Sequence, residues 1–301
     1  MKQSFHFPPK GFLYIVFIAL AGTINTGCKK EDSNIAPPGN DPLPERIITD
    51  TMYGMDARQK MDIYLPAGRS ADTKVIFLIH GGGWQTGDKN ELNSYMSLVR
   101  NKWPEVAVVN INYRLSGNSP AVHYNEIMND IKAAVSFIIT NKTKLIVSDT
   151  LGMIGASAGA HLAMLYTYKF NTNNYVKCVA DFFGPAKLSD WEWYNSFNPW
   201  VGVAVKDVLT QYIGEPWNQA LYDSNSPYEV ITAQSAPTII FHGTADVIVP
   251  LYQSQWLKAK LATLNVPHEY YEYVLDGHGF NVANSVDAIT KTIIFFKQYL
   301  H

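Results

Sequence analysis

A serine placed between two glycines is the first feature of the sequence that suggests chemistry. Gly155-Ala156-Ser157-Ala158-Gly159 fits the pattern G-x-S-x-G. In this pattern a serine on a sharp strand-to-helix turn exposes its hydroxyl, and the flanking glycines prevent clashes between the turn and its neighbours. We therefore predict that Ser157 is a nucleophile; the alternative is a structural turn built from small residues.

A second motif offers backbone donors. The run HGGGW at 80–84 holds three consecutive glycines, whose N–H groups no side chain covers. Two such donors, together with the N–H of Ala158, could bind the oxyanion of a tetrahedral intermediate. The loss of one donor of this kind lowers the reaction rate by about 100-fold or more. A phosphate-binding loop is the alternative, but the sequence has no G-x-x-x-x-G-K-[ST] motif and no G-x-G-x-x-G that opens a helix.

An acid and a base follow later in the chain. His278 lies between two glycines in the run DGHGF, and an imidazole with an ordinary pKa near 6.5 can take up and return a proton at neutral pH. Asp246, in the run HGTAD, is our candidate for orienting that histidine. Two rival carboxylates are Asp181, which also follows a predicted strand, and Asp276, which is only two residues from His278.

The strands and helices that must position these motifs alternate along the chain. Apolar runs predict strands over 47–53, 60–64, 75–79, 107–111, 151–154, 176–183, 238–241 and 269–274. Helical periodicity predicts helices over 91–101, 122–141, 158–169, 251–264 and 284–300. Such alternation favours a mostly parallel, doubly wound sheet with helices on both faces, whose sites lie at the carboxyl ends of the strands. Each of the four motifs follows a predicted strand, so we expect them to meet.

Five sequence runs carry a resemblance to a known superfamily: HGGGW at 80–84, NYRL at 112–115, GASAG at 155–159, HGTADVIVP at 242–250 and DGHGF at 276–280. With them, residues from about 47 to 300 resemble the α/β-hydrolases. The order of nucleophile, acid and histidine is also the order of that superfamily. Within it, the chain looks like the carboxylesterase, acetyl xylan esterase, feruloyl esterase and kynurenine formamidase group. The resemblance implies an α/β-hydrolase fold, with a mostly parallel twisted sheet, helices on both faces and a small lid insertion.

The same resemblance implies roles for six residues. The catalytic triad would be Ser157, Asp246 and His278, and the oxyanion hole would be lined by Gly82, Gly83 and Ala158. The implied activity is that of a serine carboxylic ester hydrolase needing neither metal nor cofactor. Its expected substrates are short-chain or aryl esters, such as acetyl or feruloyl groups on extracellular polysaccharide. Two alternatives stay open: an arylformamidase or peptidase of the same fold, and a non-catalytic binding protein built on it.

The substrate contacts are harder to assign from the sequence. The stretch 186–235 is rich in aromatic residues and does not read as simple strand and helix. Family likeness places an insertion over the cleft here, where aromatic side chains could stack on a sugar ring or an aryl group. The candidate substrate-binding residues are Trp84, Phe183, Trp191 and Trp193. For each tryptophan, packing in the protein interior is the competing interpretation.

The first residues indicate export. A basic start followed by an apolar run of about a dozen residues is typical of a secretory signal and too short for a permanent membrane span. Gly27-Cys28 resembles a bacterial lipobox, although Asn25 stands where an aliphatic residue is usual. We predict a signal peptide over 1–27, a lipidated Cys28 with a linker over 28–46, and a catalytic domain over 47–301. The expected location is periplasmic or at the outer membrane or cell surface, with plain secretion as the alternative.

Composition excludes several classes of protein. The 301 residues carry 24 basic and 26 acidic side chains, a net charge of −2, so no basic surface points to a nucleic-acid partner. Two cysteines cannot build a disulfide scaffold or a cysteine-rich zinc site, and the eight histidines are scattered. A chain with 47% hydrophobic residues can bury a large core, which excludes wholesale disorder. We therefore expect a small-molecule or polysaccharide ester as partner, together with the membrane through the lipid anchor.

Overall fold

The computed structural model describes residues 42–117, 122–200 and 202–301. The predicted signal peptide over 1–27, Cys28 and the linker up to residue 41 lie outside the described residues. The compact unit begins at Pro42, so it includes the last five residues of the predicted linker. Its first residues are tied to the body by hydrogen bonds from the N–H of Gly68 to the carbonyl of Leu43 (2.8 Å) and from Arg69 to the carbonyl of Pro44 (2.7 Å).

Among the residues that the structure describes, eight strands form one sheet and two more form a small hairpin. The ten strands are β1 (Arg46–Met52), β2 (Lys60–Leu65), β3 (Val75–Ile79), β4 (Ala107–Ile111), β5 (Leu151–Ala156), β6 (Val176–Phe182), β7 (Phe197–Asn198), β8 (Val203–Ala204), β9 (Thr238–Gly243) and β10 (His268–Tyr273). The large sheet has the order β1-β2-β4-β3-β5-β6-β9-β10. Strand β2 is antiparallel to both of its neighbours, and the six strands β4, β3, β5, β6, β9 and β10 are parallel to one another.

Nine α-helices accompany these strands in the described residues. They are α1 (Asn93–Lys102), α2 (Tyr124–Leu145), α3 (Ala158–Leu165), α4 (Trp191–Tyr194), α5 (Val205–Ile213), α6 (Gln219–Ser224), α7 (Pro227–Val230), α8 (Tyr252–Thr263) and α9 (Val282–Tyr299). A 3₁₀ turn, Lys89–Leu92, precedes α1, and a π-helical turn, Tyr166–Phe170, continues α3. No helix in residues 42–117, 122–200 and 202–301 is long and apolar enough to span a bilayer.

The helices cover both faces of the sheet, and strand β3 shows why. All five of its residues are buried, and successive side chains of a strand point to opposite faces. Val75, Phe77 and Ile79 join one hydrophobic cluster, which takes in the apolar faces of α2, α3 and α8. Ile76 and Leu78 join a second cluster with α1 and α9. Burial on both faces is typical of a central strand in a parallel sheet. The observed sheet confirms the predicted fold class.

The expected insertion lies between β6 and β9. It consists of the four short helices α4 to α7 and the β7–β8 hairpin. The hairpin contacts the loop after β9, because the side chain of Asn198 donates a hydrogen bond to the carbonyl of Val247 (2.5 Å). The insertion is therefore attached to the same loop that carries Asp246.

Candidate active site

Ser157 occupies a strained turn between β5 and α3. Its backbone has φ 54° and ψ −123°, a conformation that costs an L-residue on the order of 1–3 kcal/mol. A Cβ on Gly155 would lie 2.3 Å from the carbonyl oxygen of Gly159, and one on Gly159 would lie 2.1 Å from that of Ile79. Both glycines are thus required by close backbone contacts, and together they let the turn place the Ser157 side chain clear of the sheet.

Three side chains from three loops form one hydrogen-bonded chain. The Ser157 hydroxyl lies 2.8 Å from Nε2 of His278, and Nδ1 of His278 lies 2.8 Å from Oδ2 of Asp246. A carboxylate only accepts hydrogen bonds, so Nδ1 carries the proton and Nε2 is free to accept from the serine. The structure thus brings Ser157, His278 and Asp246 together at the carboxyl ends of β5, β10 and β9. This arrangement can move a proton from the serine to the imidazole.

The carboxylate of Asp246 is completely buried and has four nitrogen atoms within 3.1 Å. Its Oδ1 accepts from the backbone N–H groups of Ile248 (2.8 Å) and Val249 (3.0 Å). Its Oδ2 faces His278 and also Nε2 of His242, which is 3.1 Å away. Burial alone would raise the pKa of Asp246, but the hydrogen bonds from His242 and His278 outweigh it and hold that pKa well below its usual range. Asp246 is therefore ionised at neutral pH.

His242 is the residue at this site that the sequence analysis missed. It was part of the motif HGTADVIVP, but the motif alone gave it no role. The available signal was its position four residues before Asp246, at the end of a strand, where a tight turn returns the chain to the same place.

Neither rival carboxylate contacts His278 among the described residues. Asp181 is fully buried, and its Oδ1 accepts a hydrogen bond from the N–H of Gly184 (2.8 Å), while burial raises its pKa to about 7. Asp276 instead accepts hydrogen bonds from the side chains of Asn281 (2.7 Å) and Asn284 (2.8 Å). Asp276 thus holds the start of α9, and Asp246 is the acid in contact with the histidine.

The buried Asp181 should make stability depend on pH. Its folded pKa of about 7 exceeds the unfolded value of 3.8, so the folded state retains a proton between these values. Stability therefore falls as pH rises from about 4 to about 7. We compare the free energy of unfolding of Asp181→Asn with that of the parent protein, measured by denaturant unfolding at pH 4 and at pH 8. The difference should move in favour of the variant by more than about 1 kcal/mol from pH 4 to pH 8. The exposed Asp72→Asn is the control, and an equal difference at both pH values would contradict the assignment.

The glycine loop after β3 lies against Ser157. A Cβ on Gly81 would be 3.1 Å from the Cβ of Ser157. Gly82 and Gly83 have φ of 98° and 58°, and no residue described in the structure accepts a hydrogen bond from either N–H group. Ala158 begins helix α3, so its N–H has no partner one turn earlier in the helix. The three predicted donors are therefore left available at one edge of the sheet.

A polar and aromatic layer supports this loop from beneath. The Tyr113 hydroxyl donates to the carbonyls of His80 (2.9 Å) and Gly81 (3.1 Å), and its ring stacks on that of His80 at 4.3 Å. Arg58 donates to the carbonyl of Gly87 (2.8 Å), where the loop ends. Burial lowers the pKa of His80 to about 4, so this histidine is neutral. His80 therefore has a structural role beneath the loop.

The four predicted substrate-binding residues fall in different environments. The Phe183 ring lies 4.9 Å from that of His278, next to the triad. Trp191 is 53% exposed on the insertion. Trp84 is only 3% exposed and stacks on Tyr212 at 4.4 Å, and Trp193 is 7% exposed, so both pack in the hydrophobic core. Their burial favours the competing interpretation of packing in the protein interior, which the sequence of a loop without periodicity could not distinguish from a substrate contact.

A further cavity lies at the other end of the sheet, and the described residues hold no group of metal ligands. A cavity of about 590 Å³ lies near the amino ends of β6 and β9, which is the end of the sheet opposite to the triad. Within residues 42–117, 122–200 and 202–301, no three His, Cys, Asp or Glu side chains are grouped as metal ligands would be.

Comparison with known proteins places this architecture in a family. Residues 61–261 match the family model BD-FAE. The esterase LipQ of Mycobacterium tuberculosis is 26% identical over 258 residues, which cover 79% of this chain and 58% of that protein. The chain thus spans little more than half the length of this relative.

Two solved structures resemble the chain. A bifunctional GH43-CE protein of Bacteroides eggerthii is 25% identical with a TM-score of 0.70, over 84% of this chain and 38% of that one. A truncated carbohydrate esterase from gut microbiota is 22% identical with a TM-score of 0.67, and the match covers 87% of this chain and 98% of that one. At this identity the likeness supports the fold alone. The family model matches well over half of the length of this chain. The chain therefore belongs to the BD-FAE family of α/β-hydrolases.

Proposed function

We propose that the protein is a serine carboxylic ester hydrolase. The observation that carries the proposal is the chain of contacts from Ser157 through His278 to Asp246, with both distances at 2.8 Å. The family match and the esterase name of the relative LipQ support the same chemistry. In this proposal Ser157 is the nucleophile, His278 the general base and acid, and Asp246 the group that orients the imidazole and stabilises its cation.

The acylation step uses every group of the site. Nε2 of His278 takes the hydroxyl proton while Oγ of Ser157 forms a bond to the ester carbonyl carbon. The carbonyl oxygen becomes an oxyanion and is held by the N–H groups of Gly82, Gly83 and Ala158. The oxyanion then collapses, the bond to the alcohol breaks, and the alcohol leaves with the proton from Nε2. Ser157 now carries the acyl group.

Deacylation repeats these steps with water. Nε2 of His278 takes a proton from water as the oxygen attacks the acyl carbon, and the same three N–H groups hold the second oxyanion. Collapse of this intermediate breaks the bond to Oγ, and the proton returns from Nε2 to Ser157. The carboxylic acid leaves, and the site is restored without any redox change.

Short-chain or aryl acyl groups fit the surroundings of His278. The rings of Phe183 and Phe280 pack edge to face at 4.9 Å, and Phe183 contacts His278. This apolar wall next to the reacting atoms favours an acetyl or aromatic acyl group. The expected export of the chain and its family favour an ester on extracellular polysaccharide as substrate. We therefore propose de-esterification of extracellular polysaccharide carrying acetyl or feruloyl groups.

Hydrolysis of an acyl series tests the proposal. We expect p-nitrophenyl acetate to be cleaved with a higher kcat/KM than the octanoate, and acetylated or feruloylated xylo-oligosaccharides to be cleaved in turn. Turnover of an aryl formamide or a peptide with no turnover of any ester would favour the alternative reactions of the same fold. The absence of all hydrolysis would favour a binding role.

Export and lipidation at Cys28 complete the proposal. They rest on the basic and apolar start of the chain and on Gly27-Cys28. In cells, Cys28→Ser is expected to move the protein from the membrane fraction to the soluble fraction. Equal membrane association of both forms would contradict lipidation at this residue.

A further inference from the structure

We propose that His242 is a positioning residue that shares the carboxylate of Asp246 with His278 and thereby sets the basicity of His278. This inference rests on the proposed function, because it concerns the base of that reaction. The residue touches no reacting atom itself. It lies at the end of β9 and is fully buried.

Three contacts hold the His242 ring in place. Its Nε2 lies 3.0 Å from the carbonyl oxygen of Val249 and 3.1 Å from Oδ2 of Asp246. Its Nδ1 lies 2.7 Å from the hydroxyl of Ser254 on helix α8. The ring therefore links the start of α8, the loop after β9 and the acid in one network.

The partners of the ring fix where its proton lies. A carbonyl oxygen only accepts hydrogen bonds, so Nε2 must carry a proton to satisfy Val249. The same nitrogen lies 3.1 Å from Oδ2 of Asp246, and this contact lowers the pKa of the carboxyl group. Nδ1 can accept from the Ser254 hydroxyl, so every polar atom of a neutral His242 is satisfied.

This arrangement has a consequence for His278. Oδ2 of Asp246 contacts one imidazole nitrogen of each histidine, at 3.1 Å for His242 and 2.8 Å for His278. A carboxylate that accepts a second donor attracts the first less strongly and stabilises a cation there less. His242 should therefore make His278 less basic than an unshared aspartate would, and keep it neutral and ready to accept the serine proton at lower pH. It also prevents rotation of the carboxylate away from His278.

Other charged groups around the network do not alter the comparison. Asp181 on β6 and Glu272 on β10 are the further ionisable groups that act on His242. Glu272 pairs with His242 in register and accepts hydrogen bonds from Tyr270 and Gln255. Since both acids remain in every variant below, their influence is common to all measurements.

The test is the pH dependence of kcat/KM for p-nitrophenyl acetate in the full-length protein. His242→Phe keeps a ring but removes the donor, and we expect the acid limb to move to higher pH by about half a unit or more. His242→Gln keeps an N–H where Nε2 stood. The acid limb of its pH profile should therefore stay near that of the parent protein. Ser254→Ala is the matched control, because it alters the network but leaves the Nε2 donor. An unmoved limb in His242→Phe, with only a lower plateau, would overturn the proposal.

A second measurement does not depend on hydrolysis. The pH midpoint of the His278 imidazole resonance in an NMR titration should shift upward in His242→Phe and not in Ser254→Ala. An unchanged midpoint would overturn the role of His242 even if the protein is an esterase. If the parent protein hydrolyses no ester, the proposed function fails, and the titration still decides whether His242 controls His278.

Discussion

Replacing Ser157 with alanine should lower kcat for p-nitrophenyl acetate by about 10⁴- to 10⁶-fold, because it removes the atom that forms the acyl bond. The carbonyl of Ser157 still accepts hydrogen bonds from the N–H groups of Ala160 and His161, so the turn keeps its backbone contacts. Circular dichroism and the melting temperature should therefore stay close to those of the parent protein.

The matched control for this prediction is Ser97→Ala. Ser97 is exposed on α1, and its hydroxyl donates only within the helix, to the carbonyl of Asn93 (2.9 Å). We expect full activity in this variant. If Ser157→Ala kept more than a tenth of the parent activity, another nucleophile would have to be sought.

Replacing Asp246 with asparagine should lower kcat by about 10⁴-fold. An amide group can donate to Nδ1 of His278, which favours the tautomer with the proton on Nε2. That tautomer cannot accept the proton of Ser157, although the geometry is nearly unchanged. The loss of charge also removes the stabilisation of the imidazolium that forms during attack.

Asp276→Asn and Asp181→Asn are the controls for the acid. Both carboxylates lie close to the site, but their described contacts are with Asn281, Asn284 and Gly184 and not with His278. We expect each to lower kcat by less than about 10-fold. A larger loss in Asp276→Asn or Asp181→Asn than in Asp246→Asn would show that the wrong acid had been chosen.

Much of the fold was predictable because its signals are local. The five apolar residues of Val75–Ile79 identify a central strand, and the spacing of Ile127, Ile131 and Ile138 identifies the buried face of α2. The glycines around Ser157 are dictated by backbone contacts within a few residues of the turn and by the carbonyls of Ile79 and His80 on the neighbouring strand end. The order of the strands in the sheet could not be predicted from the sequence, because it depends on pairings between distant segments.

The site was predictable for the same reason, up to a limit. Each member of the chain Ser157, His278 and Asp246 lies in a short motif after a strand, so the topology alone brings them to one edge. The burial of Trp84 and Trp193 was not predictable, since it depends on partners such as Tyr212, which is 128 residues later than Trp84 in the chain. The contact of His242 with Asp246 likewise requires the conformation of the turn that joins them.

Covalent labelling tests the central claim most directly, namely that Ser157 is an activated nucleophile. The protein would be treated with an alkyl p-nitrophenyl phosphonate, which leaves a stable phosphonyl group on such a serine. We expect release of one p-nitrophenolate per chain, loss of ester hydrolysis, and a mass increase confined to the peptide that contains Ser157. Little labelling is expected for His278→Ala. Continued ester hydrolysis by the treated protein with Ser157 unmodified, or labelling at another residue, would show that Ser157 is not the nucleophile.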